Sequence, residues 1–237
     1  MTFVQIIDCK TSRFEDLNRL MDKWVEQTQG KRTASHSVIG KDRSDSEHLV
    51  EIVEFPSYEV AMTNSQLPET DRIFREMVAL CDEMPTFTDL DIVRDIQLYK
   101  GNAQRFFELI AAEGELPPLD EVLAEGYHDH DPTNEQDTMG MDAIRRQVEM
   151  WRGGFDFDFT VNDQIAEGDR VCTRWTWVAT HKGDFMGLMP TAPRTKVSMT
   201  GTTIHQFRKD GKIAEGWWQY DLLGLMEQLG AVDASET

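Results

Sequence analysis

An aspartate at the end of the last strand-like segment is the first candidate for chemistry. Residues 212–220 alternate in the manner of a β-strand, and continuing the alternation places Trp217, Gln219 and Asp221 on one face. A carboxyl group beside tryptophan in an apolar cavity loses solvation, which raises its pKa and suits general acid/base catalysis. Asp221 also directly precedes the apolar segment LLGLMEQLG, where aspartate is a favoured helix N-cap, so both roles stay open.

A histidine lies in a second strand-like segment, at residues 195–208. The more apolar face of this segment comprises Val197, Met199, Thr203, His205 and Phe207. A buried imidazole next to a carboxyl group can polarise a carbonyl oxygen or orient the acid. A core histidine with satisfied hydrogen bonds fits the same pattern. The sequence therefore nominates His205 as a second catalytic candidate without separating the two roles.

The stretch Tyr-His-Asp-His-Asp at residues 127–131 has the residue types of a metal site. Histidines two residues apart with adjacent carboxylates can bind zinc or iron. We expect this stretch to lie in a loop. There, His130 and Asp131 can instead hold the chain by hydrogen bonds, with Tyr127 or His130 reaching a pocket.

Aromatic side chains around these residues are typical of an apolar pocket with a few placed polar groups. Only one face of each strand can line a cavity, so most of the aromatic residues are expected in the core or in an interface. We expect Trp217, which shares the face of Asp221, and Trp175 to line the pocket. Glu215 and Arg174 are expected to pair inside the sheet as a structural bridge.

The loop at residues 184–189 suits the mouth of such a pocket. It is apolar and contains glycine, so Phe185, Met186 and Met189 can form a flexible lip that excludes water from the substrate. The glycines of this region can equally be ordinary turn residues.

Composition limits the possible partners. The 237 residues carry 43 acidic and 24 basic side chains, a formal charge of −19, which disfavours nucleic acid and anionic membranes. No apolar segment approaches the length of a membrane helix, and the N-terminus lacks the features of a signal peptide. Cys9, Cys81 and Cys172 are odd in number and far apart, which argues against a disulfide framework and indicates the cytoplasm.

The first part of the chain, residues 1–98, predicts a domain with the order βαββαβ. Strands are expected at residues 3–8, 35–39, 48–55 and 87–98, and helical segments at residues 11–29 and 56–81. This order is typical of a ferredoxin-like α+β sandwich with two helices on one face of the sheet. No chemical motif stands out, so we interpret this domain as structural or dimerising.

A joint is expected at residues 99–102, followed by a second α+β domain at residues 103–237. Helices are predicted at residues 103–113, 119–125 and 139–150, and strands at residues 155–167, 170–181, 195–208 and 212–220. Helices followed by an antiparallel meander predict a second, separate α+β core.

A series of residues in the second domain matches a known family in order and spacing. The series comprises His130-Asp131-Pro132, residues 163–171, Arg174-Trp175, Thr180-His181, Gly183, Phe185, Pro190-Thr191, Phe207-Arg208, residues 211–215, Trp217, Asp221 and Gln228-Leu229-Gly230. With these residues the domain resembles the SnoaL-like polyketide cyclase family, within the nuclear-transport-factor-two-like cone fold. The chain departs from the family at Ala179 and Ala192, where the family often has glycine, and both departures concern the mouth of the pocket.

The resemblance implies a cone-shaped α+β barrel, closed by helices around a ligand pocket. Characterised members of the family close a polyketide ring by intramolecular aldol condensation without metal or organic cofactor, and a carboxylic acid at the position of Asp221 is the general acid/base. The family's His-Asp-Pro motif needs no metal, so we expect none at residues 127–131 and no cofactor elsewhere.

We therefore expect a cofactor-independent enzyme that acts on a hydrophobic carbonyl compound by aldol cyclisation, isomerisation or hydrolysis. Asp221 is expected to abstract the proton α to a carbonyl, His205 or His130 with Gln219 to stabilise the enolate oxygen, and Trp217 to orient the ring system.

Two alternatives stay open. The cone can hold a small hydrophobic ligand without catalysis, or the chain can be an oxygenase that uses its N-terminal domain. That domain resembles, in topology, the dimeric α+β-barrel fold of the antibiotic-biosynthesis monooxygenase superfamily. Both resembled folds often associate through sheet faces, so a homodimer is expected.

Overall fold

The structure is a computed structural model that describes residues 2–134, 136–190 and 195–232. The chain divides into two compact units between Asp95 and Ile96. Within the described residues, none of the helices combines the length and the apolar character needed to cross a membrane.

The first unit is built on an antiparallel sheet. Its strands β1 (Phe3–Lys10), β2 (His36–Lys41), β3 (His48–Phe55) and β4 (Thr86–Asp91) pair in the order β2-β3-β1-β4. Its helices are α1 (Phe14–Gln27), α2 (Tyr58–Ser65) and α3 (Pro68–Leu80). The ferredoxin-like α+β architecture is confirmed, with the predicted helical segment at residues 56–81 divided in two. Pro68 begins the second helix, where its missing N–H costs no hydrogen bond.

The second unit is a strongly curved mixed sheet with three helices in its described part. The strands are β5 (Leu123–His130), β6 (Thr138–Met139), β7 (Phe155–Glu167), β8 (Arg170–His181), β9 (Thr195–Phe207) and β10 (Ile213–Tyr220), in the order β6-β5-β10-β9-β8-β7. The helices are α4 (Leu98–Ala111), α5 (Met141–Gly154) and α6 (Leu222–Gln228). Strands β7 to β10 form the predicted antiparallel meander, and β5 runs parallel to β10.

The predicted joint at residues 99–102 lies inside α4 and is therefore corrected. Tyr99 stacks on Phe207 with ring centroids 4.6 Å apart, and the side-chain amide of Asn102 donates a hydrogen bond to the carbonyl oxygen of Gly211 at 2.8 Å. These contacts hold the first turn of the helix on the second unit.

The predicted helix at residues 119–125 is also corrected. The helical geometry is limited to a 3-10 turn at Leu119–Glu121, after which the chain enters β5. The stretch at residues 127–131, expected in a loop, is consequently part of a paired strand up to His130. Its alternating side chains therefore point to opposite faces of the sheet.

The core of the second unit lies between α4, α5 and the concave face of the sheet. Every second residue of β8 from Val171 to His181 is buried, as its sequence pattern predicts. Trp175 and Trp177 on this face are about 1% exposed. Phe107 of α4 contacts Trp175 with ring centroids 6.5 Å apart, so the helix and the sheet meet through aromatic rings.

Gly201 makes room for one of these rings. A Cβ atom at this position would lie 2.5 Å from Cζ2 of Trp175 and 2.6 Å from the carbonyl oxygen of Gln219. We expect Gly201→Ala to lower the free energy of unfolding by about 1–3 kcal/mol, because the indole and a backbone carbonyl cannot both move away. Urea denaturation measures this loss.

Gly126→Ala is the matched control, because a Cβ at this glycine of β5 meets nothing within 4 Å. If both variants unfold at the same urea concentration as the wild type, the close packing of Trp175 over Gly201 is refuted.

Candidate functional site

A β-bulge decides which side chains of β10 face the interior. The pairing of β10 with β9 runs from Ile213 opposite Phe207 to Glu215 opposite Gln206, so one extra residue lies in β10. Ile213 faces the interior before the bulge. After it, Gly216, Trp218 and Tyr220 take the interior face instead of Glu215, Trp217 and Gln219.

These side chains help to line a cavity of about 50 Å³. The wall is mostly aromatic and includes Trp151, Trp175, Trp177, Trp218 and Tyr220. Its polar groups are the carboxyl groups of Asp129 and Asp131 and the amide of Gln147. A cavity needs about 10–15 Å³ to admit one water molecule, so this cavity has room for a few.

Asp129 is the most buried of these polar groups, with about 1% exposure. Its Oδ1 accepts hydrogen bonds from the hydroxyl of Tyr127 at 2.5 Å and from the indole N–H of Trp218 at 2.9 Å. Its Oδ2 is buried and has no hydrogen-bond partner among the described residues. The carboxyl group is thus fixed by one oxygen, and the hydrogen-bonding capacity of the other is not used by the described residues.

Burial raises the pKa of Asp129 from its usual value to about 6, and the nearby charge of Asp131 adds to this shift. The hydrogen bonds from Tyr127 and Trp218 act in the opposite direction, because they stabilise the carboxylate. Burial and the charge of Asp129 also hold the pKa of Tyr127 well above its usual value, so its hydroxyl stays a donor.

Asp131 is the second carboxyl group in the cavity wall, and it accepts more hydrogen bonds than Asp129 does. Its Oδ1 accepts hydrogen bonds from the hydroxyl of Tyr220 at 2.6 Å, from the hydroxyl of Thr133 at 2.6 Å and from the backbone N–H of Thr133 at 2.8 Å. The pKa of Tyr220 is raised by burial and by this carboxylate. Asp131 therefore adds negative charge near Asp129.

The opposite face of β5 carries the histidines. Nε2 of His130 lies 2.8 Å from Oε1 of Glu215, and its Nδ1 lies 2.8 Å from Oδ2 of Asp137. The ring of His130 stacks on Trp217 at a centroid distance of 5.2 Å. Burial alone would lower the pKa of His130, but the hydrogen bond to Glu215 and the charges of Asp137 and Glu215 raise it overall.

The predicted position of Asp221 in the cavity is corrected. Its side chain is exposed, and Oδ1 accepts a hydrogen bond from the backbone N–H of Gly224 at 2.8 Å as the N-cap of α6. The bulge in β10 inverts the expected alternation. Trp217 therefore lies on the outer face with His130, and Gln219 is exposed outside the cavity wall.

The predicted position of His205 beside an acid is also corrected. The residue faces the interior, as its strand pattern predicts, but it is fully buried outside the cavity wall. Its ring lies 5.2 Å from Phe106 and 6.3 Å from Trp218 between centroids. Neither ring nitrogen has a hydrogen-bond partner among the described residues.

The three residues expected to form a lip at residues 184–189 differ in burial, so they do not form one surface. Phe185 is fully buried, with its ring 4.5 Å from Trp151 and 4.9 Å from Phe155, so it belongs to the core. Met186 and Met189 are 53% and 63% exposed. The matched residue Thr191 and the departure at Ala192 lie outside the described residues.

Two further predictions concern residues in or near the sheet. Trp175 does line the cavity, and its indole N–H donates a hydrogen bond to the hydroxyl of Thr203 at 2.8 Å. The expected pair of Arg174 with Glu215 is not formed, because Arg174 binds Asp163 at 2.5 Å on the neighbouring strand.

Asp129 and Asp131 are the functional candidates that the sequence reasoning missed. The signal that could have found them is the alternation within residues 127–131. If this stretch is treated as a strand, Tyr127, Asp129 and Asp131 share one face and the two histidines share the other.

The first unit contains a larger cavity of about 270 Å³ between its sheet and helices. Its wall is largely apolar and includes Trp24, Phe55 and Met77. Its polar lining residues are Gln5, Glu51, Asn64, Ser65, Thr70 and Asp71. Burial raises the pKa of Glu51, against the effect of a hydrogen bond from Ser37. This cavity therefore also has a partly desolvated acid in its wall, and size alone does not identify the functional cavity.

A curved α+β sheet around an internal aromatic cavity defines the second unit as a nuclear-transport-factor-two-like cone. A family model for the SnoaL-like polyketide cyclases matches residues 101–229, more than half of the 237 residues. The chain therefore belongs to the SnoaL-like polyketide cyclase family. No curated protein matches the chain.

Solved structures resemble the same unit. A putative SnoaL-like polyketide cyclase from Jannaschia sp. CCS1 is 21% identical, covers 59% of this chain and 99% of its own, and has a TM-score of 0.51. For another from Shewanella denitrificans OS-217 the identity is 16%, the coverages are 58% and 100%, and the TM-score is 0.50. TsrD from Streptomyces laurentii is 27% identical over 59% of this chain and 99% of its own, with a TM-score of 0.48. The first two likenesses show the fold.

His205 generates a prediction about stability in acid. Burial lowers its pKa to about 3, so the folded protein keeps this imidazole neutral. In the unfolded chain the pKa is about 6.5. The contribution of His205 to stability is fully present above that value and is lost as the pH falls toward about 3. At pH 5 the loss amounts to about 2 kcal/mol.

Urea denaturation of the wild type and of His205→Leu at pH 7.5 and pH 5 measures this effect. We expect the wild type to lose about 2 kcal/mol more than the variant between the two pH values. Equal losses would show that His205 is protonated or solvated in the folded state.

Proposed function

We propose that this chain is a cofactor-independent enzyme that removes a proton next to a carbonyl group and closes a ring in a hydrophobic substrate. One observation carries the proposal. The carboxyl group of Asp129 lies in the wall of an aromatic cavity, held through Oδ1, while Oδ2 has no partner among the described residues. A poorly solvated carboxylate of this kind is a stronger base than an exposed one. Membership of the cyclase family supports the same class of reaction.

The proposed reaction uses Asp129 as both base and acid. Its carboxylate takes a proton from the carbon next to one carbonyl group, and the resulting enolate carbon attacks a second carbonyl carbon of the same molecule. A carbon–carbon bond forms, the second carbonyl oxygen becomes an alkoxide, and this oxygen takes the proton back from Asp129. Tyr127 and Trp218 keep the carboxyl group in one orientation through both transfers.

The aromatic rings of the cavity wall can bind the substrate through apolar contacts. The rings of Trp175, Trp177 and Trp151 offer faces and edges for a planar, unsaturated substrate. A fused ring system is larger than about 50 Å³, so substrate entry requires some of these side chains to move apart. The resulting exclusion of water strengthens the electrostatic interactions of the carboxylate with the substrate.

Two other functions have support in particular observations. A non-catalytic binding protein needs only the aromatic wall. An oxygenase centred on the first unit has a cavity of about 270 Å³ available, with Glu51 and Gln5 among its polar lining residues. Neither alternative uses the desolvated carboxyl group of Asp129, and for that reason we place the acid/base reaction first.

Assembly and location stay predictions of the sequence. We propose a homodimer in the cytoplasm. The proposed location rests on the odd number and the sequence spacing of Cys9, Cys81 and Cys172. Size-exclusion chromatography with light scattering measures the assembly directly.

Proton abstraction can be tested without knowledge of the natural substrate. The bicyclic ketone 2-tetralone exchanges its α-protons in D2O, and NMR follows the rate. We expect the wild type to accelerate this exchange and Asp129→Asn to lose about 100-fold or more of the acceleration, the usual contribution of a general base. Asparagine retains an oxygen that accepts from Tyr127 and Trp218, so the fold is expected to persist.

Asp221→Asn is the matched control, since Asp221 is exposed and its capping hydrogen bond is available to asparagine. We expect this variant to keep the wild-type rate. Loss of exchange in Asp221→Asn alone would refute the assignment to Asp129. If the ketone quenches the tryptophan fluorescence of the wild type but is not exchanged, the chain is a binding protein.

A further inference from the structure

Two histidines and two carboxylates meet on the outer face of β5 and β10, away from the cavity. His128 and His130 lie side by side with ring centroids 4.2 Å apart. Glu215 faces one edge of the two rings, at 3.7 Å from Nδ1 of His128 and 2.8 Å from Nε2 of His130. Asp137 faces the other edge.

In contrast to the expectation of no metal at residues 127–131, we propose that His128, His130 and Glu215 bind a divalent transition-metal ion of the zinc type. Each residue offers one donor atom, an imidazole nitrogen from each histidine and a carboxylate oxygen from Glu215, and these atoms all lie within 4.8 Å of one another. Metal–ligand bonds of about 2.1 Å in a tetrahedral site separate the ligand atoms by about 3.4 Å. The present separations of Nδ1 of His128 and Nε2 of His130 from Oε1 of Glu215, 3.7 Å and 2.8 Å, bracket that value.

Asp137 provides the feature that distinguishes a metal site from a surface ion pair. Its Oδ2 lies 3.1 Å from Nε2 of His128 and 2.8 Å from Nδ1 of His130. These are the ring nitrogens that face away from Glu215. A histidine that binds metal usually donates its other N–H to a carboxylate, which fixes the tautomer and the ring orientation. Here one carboxylate does this for both imidazoles.

The sheet positions the three metal-binding side chains before an ion binds. Glu215 pairs directly with His128 across the parallel strands, and Trp217 pairs with His130. The indole of Trp217 stacks on the ring of His130 with an interplanar angle of 4°, which restricts its rotation. The side chains of the three ligands are 24–30% exposed, so an ion can reach them from solvent.

The donor set selects the class of ion. Two imidazole nitrogens and one carboxylate oxygen suit zinc and its neighbours, whereas magnesium and calcium prefer oxygen ligands alone. Three protein ligands leave a fourth position for water. The carboxylates of Glu215 and Asp137 balance the charge of a divalent ion.

The site extends beyond the proposed reaction because it lies on the other side of the strand from Asp129. Successive residues of a strand point to opposite faces, so the sheet separates the two groups. A bound ion would join β5 to β10 through side chains and would stabilise the cone without contacting the substrate.

Cobalt(II) is the probe for the site, since its visible absorption reports on ligand number and geometry. The full chain is first treated with a chelator and then titrated at 0.15 M salt, where screening weakens diffuse attraction to the acidic surface. We expect one ion per chain, with d–d bands of a four- or five-coordinate nitrogen and oxygen site. Zinc should displace the cobalt.

Each ligand variant should weaken zinc binding by more than about 100-fold, namely His128→Gln, His130→Gln and Glu215→Gln. Asp137→Asn, which leaves the ligands intact, should weaken it by about 10- to 100-fold. Circular dichroism checks that each variant is folded. Glu215→Gln keeps the size of the side chain and serves if a histidine variant unfolds.

His48→Gln is the matched control. The ring of His48 also lies between two carboxylates, at 3.0 Å from Asp8 and 3.3 Å from Asp42, but it has no second imidazole beside it. We expect this variant to bind zinc like the wild type. The proposal is refuted if the wild type binds no tighter than Glu215→Gln, or if His48→Gln removes the binding.

Discussion

The pairing of β10 with β5 determines how the second unit can work. The bulge after Ile213 brings Gly216 opposite Asp129, and the pairing continues to Trp217 opposite His130. Gly216 has no Cβ, which leaves space for the hydroxyl of Tyr127 at that position. From there the hydroxyl reaches Asp129, and Trp218 reaches it from β10. The orientation of the buried carboxyl group thus depends on one strand register.

The same register gives a single strand two chemical environments. Tyr127 and Asp129 are enclosed by aromatic rings, where a carboxylate is poorly solvated. His128 and His130 lie on the other face with Glu215 and Asp137, partly in contact with water. The sheet separates these groups by its own thickness, so the proposed base and the proposed metal ligands lie within a few residues of sequence.

Regular alternation made much of the fold predictable. In β8 and β9 the buried and exposed residues follow the sequence pattern, so Trp175 and Met199 could be placed on the cavity side before the structure was known. In β10 the same rule fails after Ile213, because a bulge shifts the alternation by one residue. The residue types around the bulge do not indicate its position. Trp217 and Asp221 were misplaced for this reason. The acids of β5 were missed because a strand rich in aspartate and histidine has the composition of a loop.

The hydrogen bonds of Asp129 can be compared with those that a neutral residue would make at the same position. Its two donors, Tyr127 and Trp218, need only an acceptor, and the neutral amide of asparagine would provide one without the cost of desolvating a charge. The nearest carboxyl group in the wall, Asp131, makes ionisation harder rather than easier. The charge of His130 acts in the opposite direction, but burial dominates and the pKa of Asp129 is raised overall. The hydrogen bonds of this position therefore do not by themselves require an acid, which supports the proposed role of Asp129 in proton transfer.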